Sequence, residues 1–154
     1  MKIKSNKADK VLEAICVFCI AGAILYLIIN WSNLPNEVPM HFDAMGNIDR
    51  WGKKSGLLFM PITTCVMYGF LTLVEQFPQM WNTGVKITEE NGERVYRTLK
   101  YMIKTLKMIV VIDFTFIAAC SFTGRSLPIW FTLVFLVLVF GDLIFWVVRL
   151  NKVK

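Results

Sequence analysis

Residues 129–150 read IWFTLVFLVLVFGDLIFWVVRL, an apolar run whose only charged side chains are Asp142 and Arg149. Wound as a helix with a rise of 1.5 Å per residue, the run covers about 33 Å, enough to cross a hydrocarbon core about 30 Å thick. A strand of a membrane barrel would alternate apolar and polar residues, and this run does not. In lipid each backbone N–H and C=O must find its partner within the segment, so an uninterrupted run of this kind specifies a helix. Three further runs of the same character occupy residues 11–29, 56–75 and 106–122. The expected fold class is an all-α integral membrane protein: a four-transmembrane-helix bundle, residues 1–154 forming a single membrane domain.

The composition agrees. Hydrophobic residues make up 56% of the chain and charged residues only 18%, against roughly 25% charged in an average soluble domain. The net charge of +6 is read as topology rather than nucleic-acid binding, because basic residues flanking apolar segments set membrane orientation and meet anionic headgroups. Residues 1–10 are basic and 11–29 apolar, and Ala21-Gly22-Ala23 mimics a signal cleavage site. The apolar run continues past that point to nearly the length of a full span, so an uncleaved signal anchor is expected.

Counting Lys and Arg on alternate sides of the four spans places thirteen with the two termini and the connection between the second and third spans, taken through Lys107. Four, namely Arg50, Lys53, Lys54 and Arg125, fall on the other side. Both termini are therefore expected in the cytoplasm of a bacterial inner-membrane protein, with an ordered extracytoplasmic loop at residues 30–55. The four cysteines, Cys16, Cys19, Cys65 and Cys120, all lie within apolar runs, where a thiol packs as a small hydrophobe.

In the outer loop, Val38-Pro39-Met40-His41-Phe42 alternates as an extended segment does, and Gly46 and Asn47 tolerate the backbone angles of a turn. A short hairpin or a tight loop follows, with Trp31 and Trp51 at the membrane interface. On a strand His41 and Asp43 point the same way, and Asp49 can join them across the turn. Two roles stand open. The carboxylates can accept backbone hydrogen bonds in turns, or the three residues with Lys53 can bind a ligand; His41 can act as an acid or base, and His41, Asp43 and Asp49 are thin candidates for a divalent metal, which is not assigned.

Between the second and third spans, Thr88 is placed to cap a basic cytoplasmic helix over residues 89–105 that runs into the third span, with Glu89 and Glu90 in its first turn. Arg94, Arg97, Lys104 and Lys107 recur at helical spacing and are expected to face anionic lipid, with docking of a partner as the alternative.

Acids inside the spans are functional candidates by default, since each costs roughly 2.5–3.5 kcal/mol at mid-helix on insertion scales. Asp113 and Asp142 each lie about seven residues from the cytoplasmic end of their span. At that similar depth they are expected to pair or share a proton. Thr64, Tyr68, Thr72 and Glu75 draw one polar stripe along the second span; it reads either as interhelical hydrogen bonding or as the wall of a polar cavity. Glu13, near the cytoplasmic end of the first span, is read as an interfacial residue, with membership of that polar cavity as the alternative. No G-x-S-x-G, H-E-x-x-H or Gly-rich phosphate loop occurs, and no cofactor is assigned.

The stretch LPNEVPMHFDAMGNIDRWGKK, residues 34–54, resembles a bacterial membrane family of unknown function that also forms the N-terminal part of SdpI-type immunity proteins. In that family a helix is followed by Pro, then Ile or Val-Pro, His-Phe-Asn, a Gly, an Asp and a Lys before a second helix. Pro35, Val38, Pro39, His41, Phe42, Gly46, Asp49 and Lys53 occupy the pattern here, and Asp43 stands in place of the Asn. The resemblance covers the first third of the chain. It implies protection from a secreted peptide toxin and contact with a cytoplasmic regulator.

The leading expectation is a small binding, immunity or signalling module that recognises a ligand or peptide at the outer face. Its partners are the lipid bilayer, a peptide toxin or a cytoplasmic regulator and, in one form, a second copy of itself. A proton- or cation-coupled transporter using Asp113, Asp142 and Glu75 is the alternative, and a membrane enzyme built on the His41 loop is third.

Overall fold

The computed structural model describes residues 4–154; Lys2, one of the lysines of the N-terminal tail, lies outside the described residues. Helix α1, Lys7–Asn30, starts where Asn6 and Asp9 cap each other: the Asp9 amide donates to the Asn6 side chain at 3.0 Å and the Asn6 amide to the Asp9 carboxylate at 2.9 Å. This reciprocal box satisfies two backbone donors that a helix start leaves open. Strands β1, Glu37–Phe42, and β2, Ile48–Lys53, then form an antiparallel hairpin. Helix α2, Phe59–Gln76, carries Pro61 in its first turn, where the missing N–H costs nothing. Helix α3 is Gly92–Thr123 and helix α4 is Phe131–Val153.

Each of the four helical segments is long and apolar enough to cross a membrane. The chain is a multi-pass membrane protein. Helix α3, of 32 residues, is about 48 Å long and overshoots a hydrocarbon core by several turns. Residues 92–105 run straight into the third span within this one helix. Its start differs from expectation: residues 88–91 form a turn in which Thr88 and Asn91 exchange side-chain bonds at 2.8 and 3.2 Å, and the helix begins only at Gly92. The αL glycine Gly124, φ 68°, ends it, with the Arg125 amide returning to the Cys120 carbonyl at 3.0 Å.

Helix α3 is the spine of the bundle. It packs against α1, α2 and α4 and against strand β1, whereas α4 packs mainly on α3. No residue of α4 is buried, and its exposed Leu, Val, Ile and Phe side chains are the surface lipid covers. A compact apolar core closes one end, where Val38 of β1 meets Leu27 of α1, Leu57, and Ala118 and Phe122 of α3. The hairpin thus seats on the helices at that end. Cys16 and Cys120 are buried, Cys19 is half-buried and Cys65 is exposed on α2, all as free thiols.

Candidate functional site

The hairpin is irregular in a way that aims its side chains. Pro39 pairs with Trp51 and His41 with Arg50, so Met40 is an extra residue, and Asp49 is a second one before the Phe42–Ile48 pair. A bulge of this kind breaks strict alternation and re-aims its neighbours. Val38 and Pro39 are consequently both buried. His41 Nδ1 meets Asp49 Oδ1 at 2.7 Å on the exposed side.

Asp43 does not join that pair. It has left the strand and accepts hydrogen bonds from the Met45 and Asn47 amides, both at 2.8 Å, and from the Asn47 side chain at 3.0 Å. The Asn47 side-chain and backbone donors hold its carboxyl below the ordinary carboxylate range. Its geometry is that of a turn carboxylate. Lys53 is exposed beside Glu37 in the register, while Lys54 donates to the Trp31 carbonyl at 3.1 Å and lies over the Trp31 ring. Gly46, at φ 87°, fixes the hairpin tip: Leu127 of the α3–α4 connection donates its amide to the Gly46 carbonyl at 2.9 Å.

Beneath the hairpin is a cavity of about 620 Å³. The hairpin lines it with Met40, His41, Phe42 and Arg50, α2 with Phe59 and Met60, α3 with Asp113, Ile117 and Ser121, and α4 with Phe131, Thr132 and Phe135. Asp113 is 8% exposed. Among the described residues no cation pairs with it, and its carboxyl also borders a second apolar recess between α3 and α4. Eight residues separate it from Ser121 near the hairpin end of α3, about 12 Å along the axis. The cavity is therefore a largely apolar chamber with one acid low in its wall and with His41, the turn carboxylate Asp43 and Arg50 in its roof.

The structure does not bring Asp113 and Asp142 together. Asp142 Oδ1 accepts the Trp146 indole N–H at 3.0 Å, and the same N–H reaches Thr105 of α3 at 2.8 Å. Because α3 and α4 run antiparallel, Asp142 lies level with Thr105, and Asp113 is eight residues further along α3, about 12 Å away in depth. The matched depth expected from sequence fails because α3 begins well before the apolar run does.

A third polar centre lies towards the other end of the bundle and is a pair of pairs. Lys107 Nζ, 1% exposed, is 2.6 Å from Glu75 and 3.0 Å from Glu13, and Lys104 Nζ is 3.0 Å from Glu75 and 3.1 Å from Glu13. Tyr68 donates to Glu13, and Lys107 donates to Thr72 at 3.1 Å. Three helices thus meet around two cations and two anions. Lys104 and Lys107 do not face lipid headgroups as their spacing suggested, and Glu13 is a cluster member rather than an interfacial residue. Of the polar stripe on α2, Tyr68, Thr72 and Glu75 join this centre, while Thr64 is buried and bonds only back to the Met60 carbonyl at 2.8 Å. The acids Asp113, Asp142 and Glu75 occupy three separate surroundings. Among the described residues no group of three His, Cys, Asp or Glu side chains is arranged to hold a metal.

Residues 17–65 match the family described as a domain of unknown function, DUF1648. The matched segment runs from the middle of α1 through the hairpin into α2, so it includes the whole roof of the cavity but neither Asp113 nor α4. An uncharacterized protein of the archaeon Archaeoglobus fulgidus is 29% identical in an alignment 122 residues long; the match covers 70% of this chain and 66% of the relative, just under two thirds of its length. No solved structure matches.

Proposed function

We propose that this protein is a membrane binding module whose hairpin-roofed cavity takes a ligand with an apolar body and a protonated amine, the amine lying against Asp113. One observation carries the reading: a carboxyl group with no cationic partner, in a mostly apolar chamber of about 620 Å³, within the roughly 300–1,000 Å³ of small-molecule sites. An acid left in such a place without a function would be selected against on insertion cost alone. The roof supplies the entrance chemistry, with the His41–Asp49 pair and Arg50 beside the rim. The excess of basic residues at the opposite end, which persists when the buried Lys104 and Lys107 are set aside, supports a hairpin facing the outside of the cell and termini facing the cytoplasm. Protection from a cationic peptide that inserts a side chain into the chamber is the form of this function that the loop resemblance suggests.

The test uses the protein in phosphatidylcholine nanodiscs, titrated with a fluorescent long-chain alkylamine against its N-acetylated, uncharged counterpart, with empty nanodiscs subtracted. The amine is expected to bind saturably, and Asp113→Asn to weaken it about tenfold, as loss of one charge-assisted hydrogen bond does. Equal binding of amine and acetyl compound, or an unchanged affinity in the Asn variant, overturns the reading.

A further inference from the structure

We infer that the end of the molecule opposite the hairpin carries a specific site for the phosphate headgroup of an anionic phospholipid, in the cleft between α3 and α4. The cleft, of about 530 Å³, is lined by Arg94 and Arg97 of α3 and Arg149 of α4, with Tyr101 and Trp146 as its wall. Three arginines thus line one cleft. Among the described residues, the single carboxylate engaged with them is the exposed Glu93, paired with Arg97 at 2.9 Å, so the cleft keeps a positive excess. Guanidinium groups match phosphate oxygens in fork geometry.

The wall is held rather than loose. Tyr101 and Trp146 stack with ring centroids 5.7 Å apart and planes 6° from parallel. The Tyr101 hydroxyl accepts from Asn6 of the α1 cap at 2.6 Å, and the Trp146 N–H is shared between Thr105 and Asp142. This assigns Asp142 the work of orienting Trp146, which explains an intramembrane acid that the hairpin cavity leaves out. Lipid is the occupant because of what borders the cleft. Phe145 lines the cleft, and Phe145 with its neighbours Ile144 and Val148 on α4 is 58%, 64% and 49% exposed, so apolar surface for acyl chains adjoins the basic groups. A soluble phosphate would use the basic groups alone and gain nothing from that apolar surface.

The measurement is the phosphatidylglycerol-to-phosphatidylcholine ratio retained by the protein after extraction from mixed vesicles, read by native mass spectrometry. The parent is expected to be enriched in phosphatidylglycerol. Arg149→Gln alone should cut that enrichment about tenfold, and Arg94→Gln with Arg97→Gln further, as loss of a direct charge-assisted hydrogen bond to a phosphate oxygen does. Lys152→Gln, which removes a neighbouring charge outside the cleft, should leave the ratio unchanged. A ratio unaffected by Arg149→Gln, or lowered as much by Lys152→Gln, overturns the site. So does displacement of the lipid by millimolar glycerol phosphate, which would mark a site for free phosphate.

Discussion

Lys107→Met is expected to lower the stability of the folded bundle by about 3–5 kcal/mol, the cost of breaking one partner out of a buried ion pair. The side chains are of similar length, so the loss is electrostatic. With Lys107 gone, Glu13 and Glu75 face Lys104 alone, and one carboxylate is left without compensation in a site that water scarcely reaches: Lys107 is 1% exposed and the Glu75 side chain 9%. Glu13 retains contact with water, which places the effect towards the lower end of that range. The double variant Lys107→Met with Glu75→Gln restores charge balance between Lys104 and Glu13, and should recover at least half the loss. A coupling energy of this sign and size is what residues in one ion-pair network give. Unfolding titrations in mixed micelles read both numbers. A single variant within 1 kcal/mol of the parent would mean that the cluster is open to water.

Gly46→Ala is expected to detach the hairpin tip from the α3–α4 connection. At φ 87° the residue sits where an L side chain is strained, by about 1–2 kcal/mol. A Cβ would also fall well inside contact distance of the Leu127 carbonyl oxygen, a backbone atom with no rotamer to escape into. Overlap of this kind adds about 1–3 kcal/mol. Gly124 is the internal control, having φ 68° but open space around its would-be Cβ, so Gly124→Ala should show only the conformational cost. Hydrogen exchange at the Leu127 amide, which donates to Gly46 at 2.9 Å, reports the opening. Faster exchange is expected in Gly46→Ala by a factor of more than ten over Gly124→Ala. Equal exchange in the two variants would mean that the tip is not pinned there.

Much of the fold was legible because lipid imposes a simple rule. Runs such as 129–150 are too long and too uniformly apolar to be anything but spans, and each of the four runs lies within or largely within a helix. The hairpin was legible as well, from the alternation after Val38 and from Gly46-Asn47, and so was the contact of His41 with Asp49. The side-chain partners across helices were harder to see. Lys104 and Lys107 stand near the end of an apolar run, where lysines ordinarily reach for headgroups, and nothing local distinguishes a lysine that turns inward. The signal was present in the balance of charge: Glu13 and Glu75 lie near the same membrane end of α1 and α2, so two acids and two bases are available at one depth. The pairing of Asp113 with Asp142 failed for a related reason, because depth was counted from the edge of the apolar run, and α3 extends to Gly92. The bulges at Met40 and Asp49 were hidden, since a one-residue register change is set by the turn and the surface below it.

The cavity under the hairpin was not visible in sequence at all, being made from α2, α3, α4 and a loop that are far apart along the chain. Its acid is the point on which the functional account turns. A membrane-permeant carbodiimide adds to a carboxylic acid reached from an apolar medium and left free of ion pairs, forming an N-acylurea whose mass identifies the residue. Treated in nanodiscs and mapped by peptide mass spectrometry, the protein is predicted to be modified at Asp113 and protected there by a long-chain alkylamine, with Glu75 unmodified inside its pair of lysines. Modification at Glu75 with Asp113 untouched, or labelling of Asp113 that the amine does not slow, would contradict the account.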